Sequence, residues 1–476
     1  METELSHQKQ IASLIGPDLQ RLLREVGDPE LARELVEDFH PEDLADLLSE
    51  LDSNDAAEIL KALPEDIAGP IFERLEDRKQ SVIVSILGPE EAAEIASEMA
   101  PDDRADLIEA LPDEVGEKLL DALEKVNPEA ARETETLGRF EERTAGALMT
   151  PDFLSVTPRK SVADAINLVR QKGGQAETVY YVFVTTDSRR LEGVVSLRDL
   201  LLADPHVSIA EVMTTRVISV QPETDQEEVA RKMSKYDLLA MPVVDKYQML
   251  LGVITADDIM DVLTEEGTED VQKLGGMEAL ETSYFATSFG MFLRKRATWL
   301  VVLFIGEFFT GTALRGYDQV LGAVGSLAFY LPLLISAGGN SGSQSSTLII
   351  RGMAVGDVKL SDWWRIATRE LAIGFAMGLI LAAVSVGRVF MWGDKGGVAF
   401  VVAISVVGIV VMGCVVGAML PLLLRRLGLD PATSSAPFIA SLVDVLGIVI
   451  YMQLAKVVLA KMIAQGVAAR AAGACP

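Results

Sequence analysis

Five stretches of this chain are apolar over nearly the length of a bilayer, and all of them follow residue 296. They cover roughly 297–314, 320–340, 366–388, 397–424 and 436–464, each near the about 20 residues that cross the hydrocarbon core. In lipid the backbone polar groups have no water to turn to, so this half is committed to a bundle of helices. The second stretch carries an anomaly. "LAFYLPLLI" (327–335) runs into "SAGGNSGSQSSTLIIRG" (336–352), where glycine, serine and amide side chains appear before any charge. Small and amide residues at that depth need a close packing partner or a water-filled path.

Charge divides the chain at the same place. Residues 1–275 carry 60 Asp and Glu against 27 Lys and Arg, and the remainder carries 10 against 15, giving balances of -33 and +5. The first part is therefore an acidic soluble assembly. Phosphate binding needs the opposite sign, so nucleic acid is excluded as a partner and divalent cations fit better. Many of these carboxylates also serve simply as a solvated surface. The two cysteines, Cys414 and Cys475, give no disulfide framework. "METELSHQKQ" has no signal-peptide character, so the soluble part is expected to stay on the side where it is made.

Residues 1–140 read as short helices. "HPEDLADLLSEL", "GPEEAAEIASEM" and "PDDRADLIEALP" each place Pro at a helix start, acids in the first turn and apolar residues at helical spacing. Prolines at 41, 64, 89, 101 and 112 punctuate them irregularly, as in a loose superhelix. Residues 141–264 repeat one pattern. "GALMTPDFLSVTP" and "EVMTTRVISVQP" each lead into a helix, and "YVFVTTDSRRLEGVVSLRDLL" and "MPVVDKYQMLLGVITADDIM" follow. These residues resemble a tandem pair of CBS domains, an α/β module made twice. In such domains a Gly-h-h-[Ser/Thr]-x-x-Asp stretch can hold an adenine nucleotide such as ATP. Gly193, Ser196 and Asp199 match it, as do Gly252, Thr255 and Asp258; the same residues would equally cap a helix. Residues 265–296 form a connector with a helix, closing on the basic collar Arg294, Lys295 and Arg296.

The spans hold few charges. Asp444 lies in "DPATSSAPFIASLVDVLGIVIY" (430–451), and the nearest basic residue, Lys456, is twelve positions away. A carboxylate so placed is neutral or faces water and a cation. Glu307 and Glu370 are the other carboxylates at membrane depth, and a hydrogen bond between helices or an interface position accounts for them as readily as function does. All three histidines, His7, His40 and His206, precede the spans, and neither an HExxH helix nor a phosphate-binding GxxxxGK[ST] loop is present. Oxygen donors remain, which suit a hard cation such as Mg²⁺ or Ca²⁺. Basic loop residues favour a cytoplasmic N-terminus, nine against six, which with five spans leaves the C-terminus outside.

Acidic helical N-domain, CBS pair, connecting helix and five spans, in that order, resemble the MgtE family of magnesium channels. "GGNSGSQSS" (338–346) and the "DPA…P…D…G" pattern of 430–447 match its two pore signatures. The resemblance implies a multidomain α-helical membrane protein of the bacterial plasma (inner) membrane, with domains at 1–140, 141–264, 265–296 and 297–476. It implies a homodimer, not an enzyme, whose pore follows the two-fold axis between the second and fifth spans. Asp444 matches the pore aspartate and Asp430 an acidic position near the cytoplasmic mouth; Asn340, Gln344 and Ala440 would border the pore. Regulatory Mg²⁺ is implied at Asp102 and Asp106 of the N-domain and at Asp225, Glu227, Asp237, Asp258 and Asp261 of the CBS pair. On the connector ("plug") helix it is implied at Glu266, Glu269 and Asp270. Ser343 departs from the pattern, which has a second amide side chain there. A secondary transporter would need ionisable relays and an inverted repeat, and an anion channel a basic pore; neither matches these spans.

Overall fold

The structure is a computed structural model, and it describes residues 29–36, 38–280, 284, 287–394 and 396–471, without the side chains of 29–31, 466 and 468–471. The opening "METELSHQKQ" with His7, Lys395, the Arg470 side chain and Cys475 lie outside this description. The chain divides into two compact units, Met1–Leu263 and Thr264–Pro476.

The first unit begins with short helices, α1 (Pro29–Val36) through α9 (Pro128–Leu137). Their starts follow the local rules. Pro41, Pro89, Pro101 and Pro128 occupy first positions, where the missing N–H costs nothing. Asp52 and Asn127 cap the backbone N–H groups of the helices they precede. The inward faces meet in one core with Leu48, Leu60, Ile71, Phe72, Ile83, Leu119 and Leu123 at its centre.

Two α/β repeats follow. In the first, β1 (Ser155–Val156) lies parallel to β2 (Tyr181–Thr185), which pairs antiparallel with β3 (Leu191–Ser196), around α10 (Val162–Lys172) and α11 (Leu197–Leu202). The short α12 (Ile209–Val212) leads to the second repeat, built on α13 (Gln226–Tyr236), β4 (Ala240–Val244) and β5 (Leu250–Thr255). Where the first repeat has β1, the second keeps a single parallel bridge, Val220 to Val243. The equivalent turns bring Arg189 and Gln248 to positive φ, and those turns pair, Leu191 N donating to Gln248 O and Leu250 N to Arg189 O. The internal repeat read from the motifs is thus also a structural one.

Helix α14 (Ala256–Leu274) leaves β5 directly and runs without a break past residue 265, where the connector was expected to begin. In the second unit α15 (Phe289–Arg315) starts eight residues before the expected span at 297, and it takes the collar Arg294–Arg296 into its first turns. A short α16 (Asp318–Ala323) precedes α17 (Leu327–Ala354), and α18 (Trp363–Met391), α19 (Gly396–Arg426), α20 (Ala436–Val458) and α21 (Ala460–Ala471) follow. The expected 320–340 span therefore breaks at Gly325 and reappears as α17, with "GGNSGSQSS" in the middle of a 28-residue helix. The expected 436–464 span ends at Val458. By length and composition α15, α18, α19 and α20 qualify as crossing helices. At about 42 Å α17 is long enough as well, but its central small and polar residues keep it from qualifying by composition. The core of this unit joins Tyr330, Leu334, Val402, Ile409, Val443, Ile448 and Tyr451.

Candidate functional site

Glycine decides how α17 meets its neighbours. A Cβ on Gly417 would stand 2.1 Å from Gly342 O, one on Gly413 2.5 Å from Gly338 O, and one on Gly338 2.4 Å from Ile409 Cγ2. Gly338 and Gly342 on α17 and Gly413 and Gly417 on α19 are spaced by four, so two small-residue stripes let the backbones touch. The serines then spend their hydroxyls between elements. Ser343 Oγ donates to Ala436 O at 3.2 Å and Ser346 Oγ to Ser434 O at 3.3 Å, tying α17 to the start of α20. Ser345 Oγ donates to Glu370 Oε2 at 2.6 Å. Glu370, 8% exposed, is thereby a buried link from α18 to α17, the structural role that its sequence left open.

Asp444 sits on α20 near the face that meets α17. A Cβ on Gly339 would be 3.3 Å from Ala440 Cβ and 3.9 Å from Asp444 Oδ1. The Asp444 carboxylate is half-buried, and among the described residues it has neither a hydrogen bond nor an ion pair. A carboxylate at this depth with no fixed counter-charge constitutes a local demand for a cation. The expected pore-lining set divides here. Asn340 and Gln344, with Ser336, Met377, Leu381 and Ser385, line a cavity of about 470 Å³ between α17, α18 and α19, which neither Ala440 nor Asp444 borders. Asn340 Nδ2 donates to Ser336 Oγ at 3.2 Å.

Asp430 precedes α20 in a capped turn, with Oδ1 accepting Ala432 N at 2.8 Å. Its Oδ2 accepts Lys273 Nζ of α14 at 2.6 Å, and the same ammonium pairs with Glu269. Burial alone would lower the Lys273 pKa, but the hydrogen bonds to Asp430 and Glu269 outweigh it and hold the ammonium above its usual value.

A second concentration of charge lies in the first unit. Helix α7 (Pro101–Ala110) opens with Asp102 and Asp103. Asp102 is pushed well above the usual carboxylate range, by burial first and then by Asp258, Asp103 and Glu177, and its Oδ1 is buried without a hydrogen-bond partner. Asp103 and Glu177 are exposed as residues, so water screens part of the shifts that follow. Asp103 rises to about 8, from burial and then Glu73, Asp106 and Asp258. Glu177 rises to about 7, from burial and then Asp258 and Asp257. Asp258 is raised by burial, in part offset by the hydrogen bonds from Thr255. Asp102, Asp106 and Asp258 are among the carboxylates expected from the sequence; Asp103, Glu177 and Glu73 are not. Asp103 was legible as the neighbour of Asp102 in one acidic turn, whereas Glu177 sits in an unremarkable loop.

The remaining candidates are dispersed. Asp225 caps α13, accepting Glu227 N at 2.9 Å, and Asp237 closes that helix at φ 51°. Asp261, Glu266 and Asp270 follow along α14. Both nucleotide-type stretches form helix caps. Ser196 Oγ donates to Asp199 Oδ2 at 2.7 Å, and Thr255 Oγ1 to Asp258 Oδ2 at 2.7 Å. Among the described residues no three His, Cys, Asp or Glu side chains are grouped to hold one metal ion. A divalent ion at these carboxylates would keep much of its water, as Mg²⁺ commonly does.

Comparison with known proteins is consistent across the chain. Residues 331–454 match the MgtE family profile, described as a divalent cation transporter. Residues 2–71 and 39–143 match the MgtE intracellular N domain, and 145–206 and 209–265 match CBS domains. The magnesium transporter MgtE of Thermus thermophilus is 44% identical over 334 residues, 70% of this chain and 74% of the relative. That of Enterococcus faecalis is 34% identical over 327 residues, 69% and 72% respectively. Among solved structures, the soluble part of a magnesium transporter superposes with a TM-score of 0.50 at 33% identity, covering 54% of this chain and 99% of that one.

Proposed function

The chain belongs to the MgtE family of divalent cation transporters, a family of magnesium transporters and not of enzymes, and from that premise we propose a homodimeric Mg²⁺ channel closed by Mg²⁺ on its cytoplasmic side. The observation that carries the pore is the bare Asp444 carboxylate on α20, set against the glycine face of α17. In a dimer with its axis along this face, two such aspartates hold one largely hydrated Mg²⁺, since that ion gives up its water reluctantly. Small residues let α17 and α20 come close enough for the carboxylates to face one another.

Asp102, Asp103, Glu177 and Asp258 supply the sensor in the first unit, with Asp106, Asp225, Glu227, Asp237 and Asp261; Glu266, Glu269 and Asp270 are further regulatory carboxylates on α14. Like charges crowded together at low Mg²⁺ favour separation, and each bound ion offsets that repulsion. Several weak sites that bind only in the closed state then sum to a sharp response. The N-terminus is cytoplasmic and the C-terminus outside. An adenine nucleotide is a secondary ligand of the CBS pair, and its ribose would compete for the carboxylates that Ser196 and Thr255 engage.

The test is single-channel recording from the reconstituted protein, with Mg²⁺ varied on the cytoplasmic face. Asp444→Ala is expected to abolish Mg²⁺ current while the folded dimer persists on size exclusion. Unchanged Mg²⁺ selectivity in that variant would remove Asp444 from the pore. Parental current indifferent to cytoplasmic Mg²⁺ would reduce these carboxylates to a solvated surface.

A further inference from the structure

We propose that Lys273 is a positioning residue for the pore mouth. Its ammonium stands between Glu269 and Asp430, where a divalent ion would otherwise bridge them, and fastens α14 to the foot of α20. The inference rests on the reading that α20 lines the pore, and it adds a fixed, tethered cation to a gate otherwise run by free ones.

Several contacts converge on the same few residues. Asp430 is oriented by its own turn, one oxygen on Ala432 N and the other on Lys273 Nζ, across 157 residues of chain. Just beyond α14, Gly276 adopts φ +75°, and a Cβ there would stand 3.0 Å from Trp299 Nε1 and 3.1 Å from Pro437 Cγ. Only glycine allows both that turn and that approach. Trp299 Nε1 in turn donates to Ser435 Oγ at 3.3 Å, and its ring lies 6.5 Å from that of Phe438. Gln272 Oε1 accepts Leu280 N at 2.6 Å, folding the segment after the helix back on it.

The Lys273 pair is therefore part of a docked surface covering 430–438, unlike an isolated surface ion pair. A free Mg²⁺ between the two carboxylates would be lost on dilution and would resist dehydration. A side-chain ammonium is always present. Without it, Asp430 Oδ2 loses the ammonium it accepts from while Glu269 stays close by, and the docked state leans more heavily on bound Mg²⁺.

The experiment uses the full chain in nanodiscs, with spin labels at Thr268→Cys and Leu429→Cys, both exposed positions. At matched free Mg²⁺, Lys273→Met is expected to lose most of the short-distance population and to need roughly fivefold more Mg²⁺ to regain it. Lys273→Arg should keep the parental distribution. Asp430→Asn, which removes one of the facing charges, should weaken docking without making it Mg²⁺-dependent. A Lys273→Met distribution and Mg²⁺ midpoint equal to the parent's would overturn the proposal. The label distances need no current, so a failed pore assignment shows separately, as Asp444→Ala channels that still select Mg²⁺.

Discussion

The α17–α20 face and the acidic residues gathered in the first unit answer one problem in opposite ways. In the second unit a single aspartate stands among glycine and alanine, and scarcity makes it decisive. No fixed partner meets it among the described residues, so one carboxylate suffices to demand a cation. In the first unit Asp102, Asp103, Glu177 and Asp258 crowd one another close to solvent, and number replaces isolation. Each is weak alone because water competes, yet together they respond to concentration. A permeation site has to release its ion, and a sensor has to count ions.

The largest effect should come from the glycine stripe on which the first of these regions depends. Gly417→Val puts a branched side chain where even a Cβ would sit 2.1 Å from Gly342 O, and the obstacle is backbone. Overpacking typically costs about 1–3 kcal/mol or more, and here the neighbour cannot rotate away. The variant should lose its folded peak on size exclusion in detergent; a monodisperse, parental-Tm protein would show that α17 and α19 do not need this approach.

A smaller effect should follow pH in the second region. Asp103 at about 8 and Glu177 at about 7 bind protons in the folded chain that the unfolded chain, with ordinary carboxylate pKa values, has released. Stability from this source is complete below the unfolded values and is lost as pH rises through the folded ones, from about 4 to about 8. Without metal, the melting temperature of the first unit within the full chain should fall between pH 5.5 and 8.5. Added Mg²⁺ should restore it more at the upper end, where the carboxylates are free to bind. Asp103→Asn should flatten the curve, and a flat parental curve would mean that these carboxylates are not under charge strain.

The smallest effect concerns a polar link that carries no ion. Ser345→Ala removes the donor to the buried Glu370 and should cost about 1–3 kcal/mol, the usual price of an unsatisfied buried group. Mg²⁺ selectivity should be unchanged, and a shifted selectivity would move Glu370 from scaffold to pore.

Much of this was legible without coordinates where a residue's meaning is set by its immediate neighbours in sequence. Asp444 declares itself as a lone charge in an apolar run. The two CBS repeats show in their matching "SVTP" and "SVQP", and Pro, Asp and Asn mark helix starts because capping is local. The helix over 338–346 was harder to place, because small residues read as a break unless the partner that fills the groove is known. Asn340 and Gln344 stood one or two positions from the α20-facing residues, and only the helix rotation assigned them to a separate cavity.

The amino-acid order by itself determined which half is apolar enough for the membrane, which half is acidic, and which carboxylates fall within the apolar runs, since hydropathy and charge are properties of single residues summed over a window. Tertiary structure alone decided that Gly417 meets Gly342, that Glu177 joins Asp102, and that Lys273 reaches Asp430. Those pairings depend on how separate helices approach and rotate, and no local periodicity encodes the distance between residues 273 and 430.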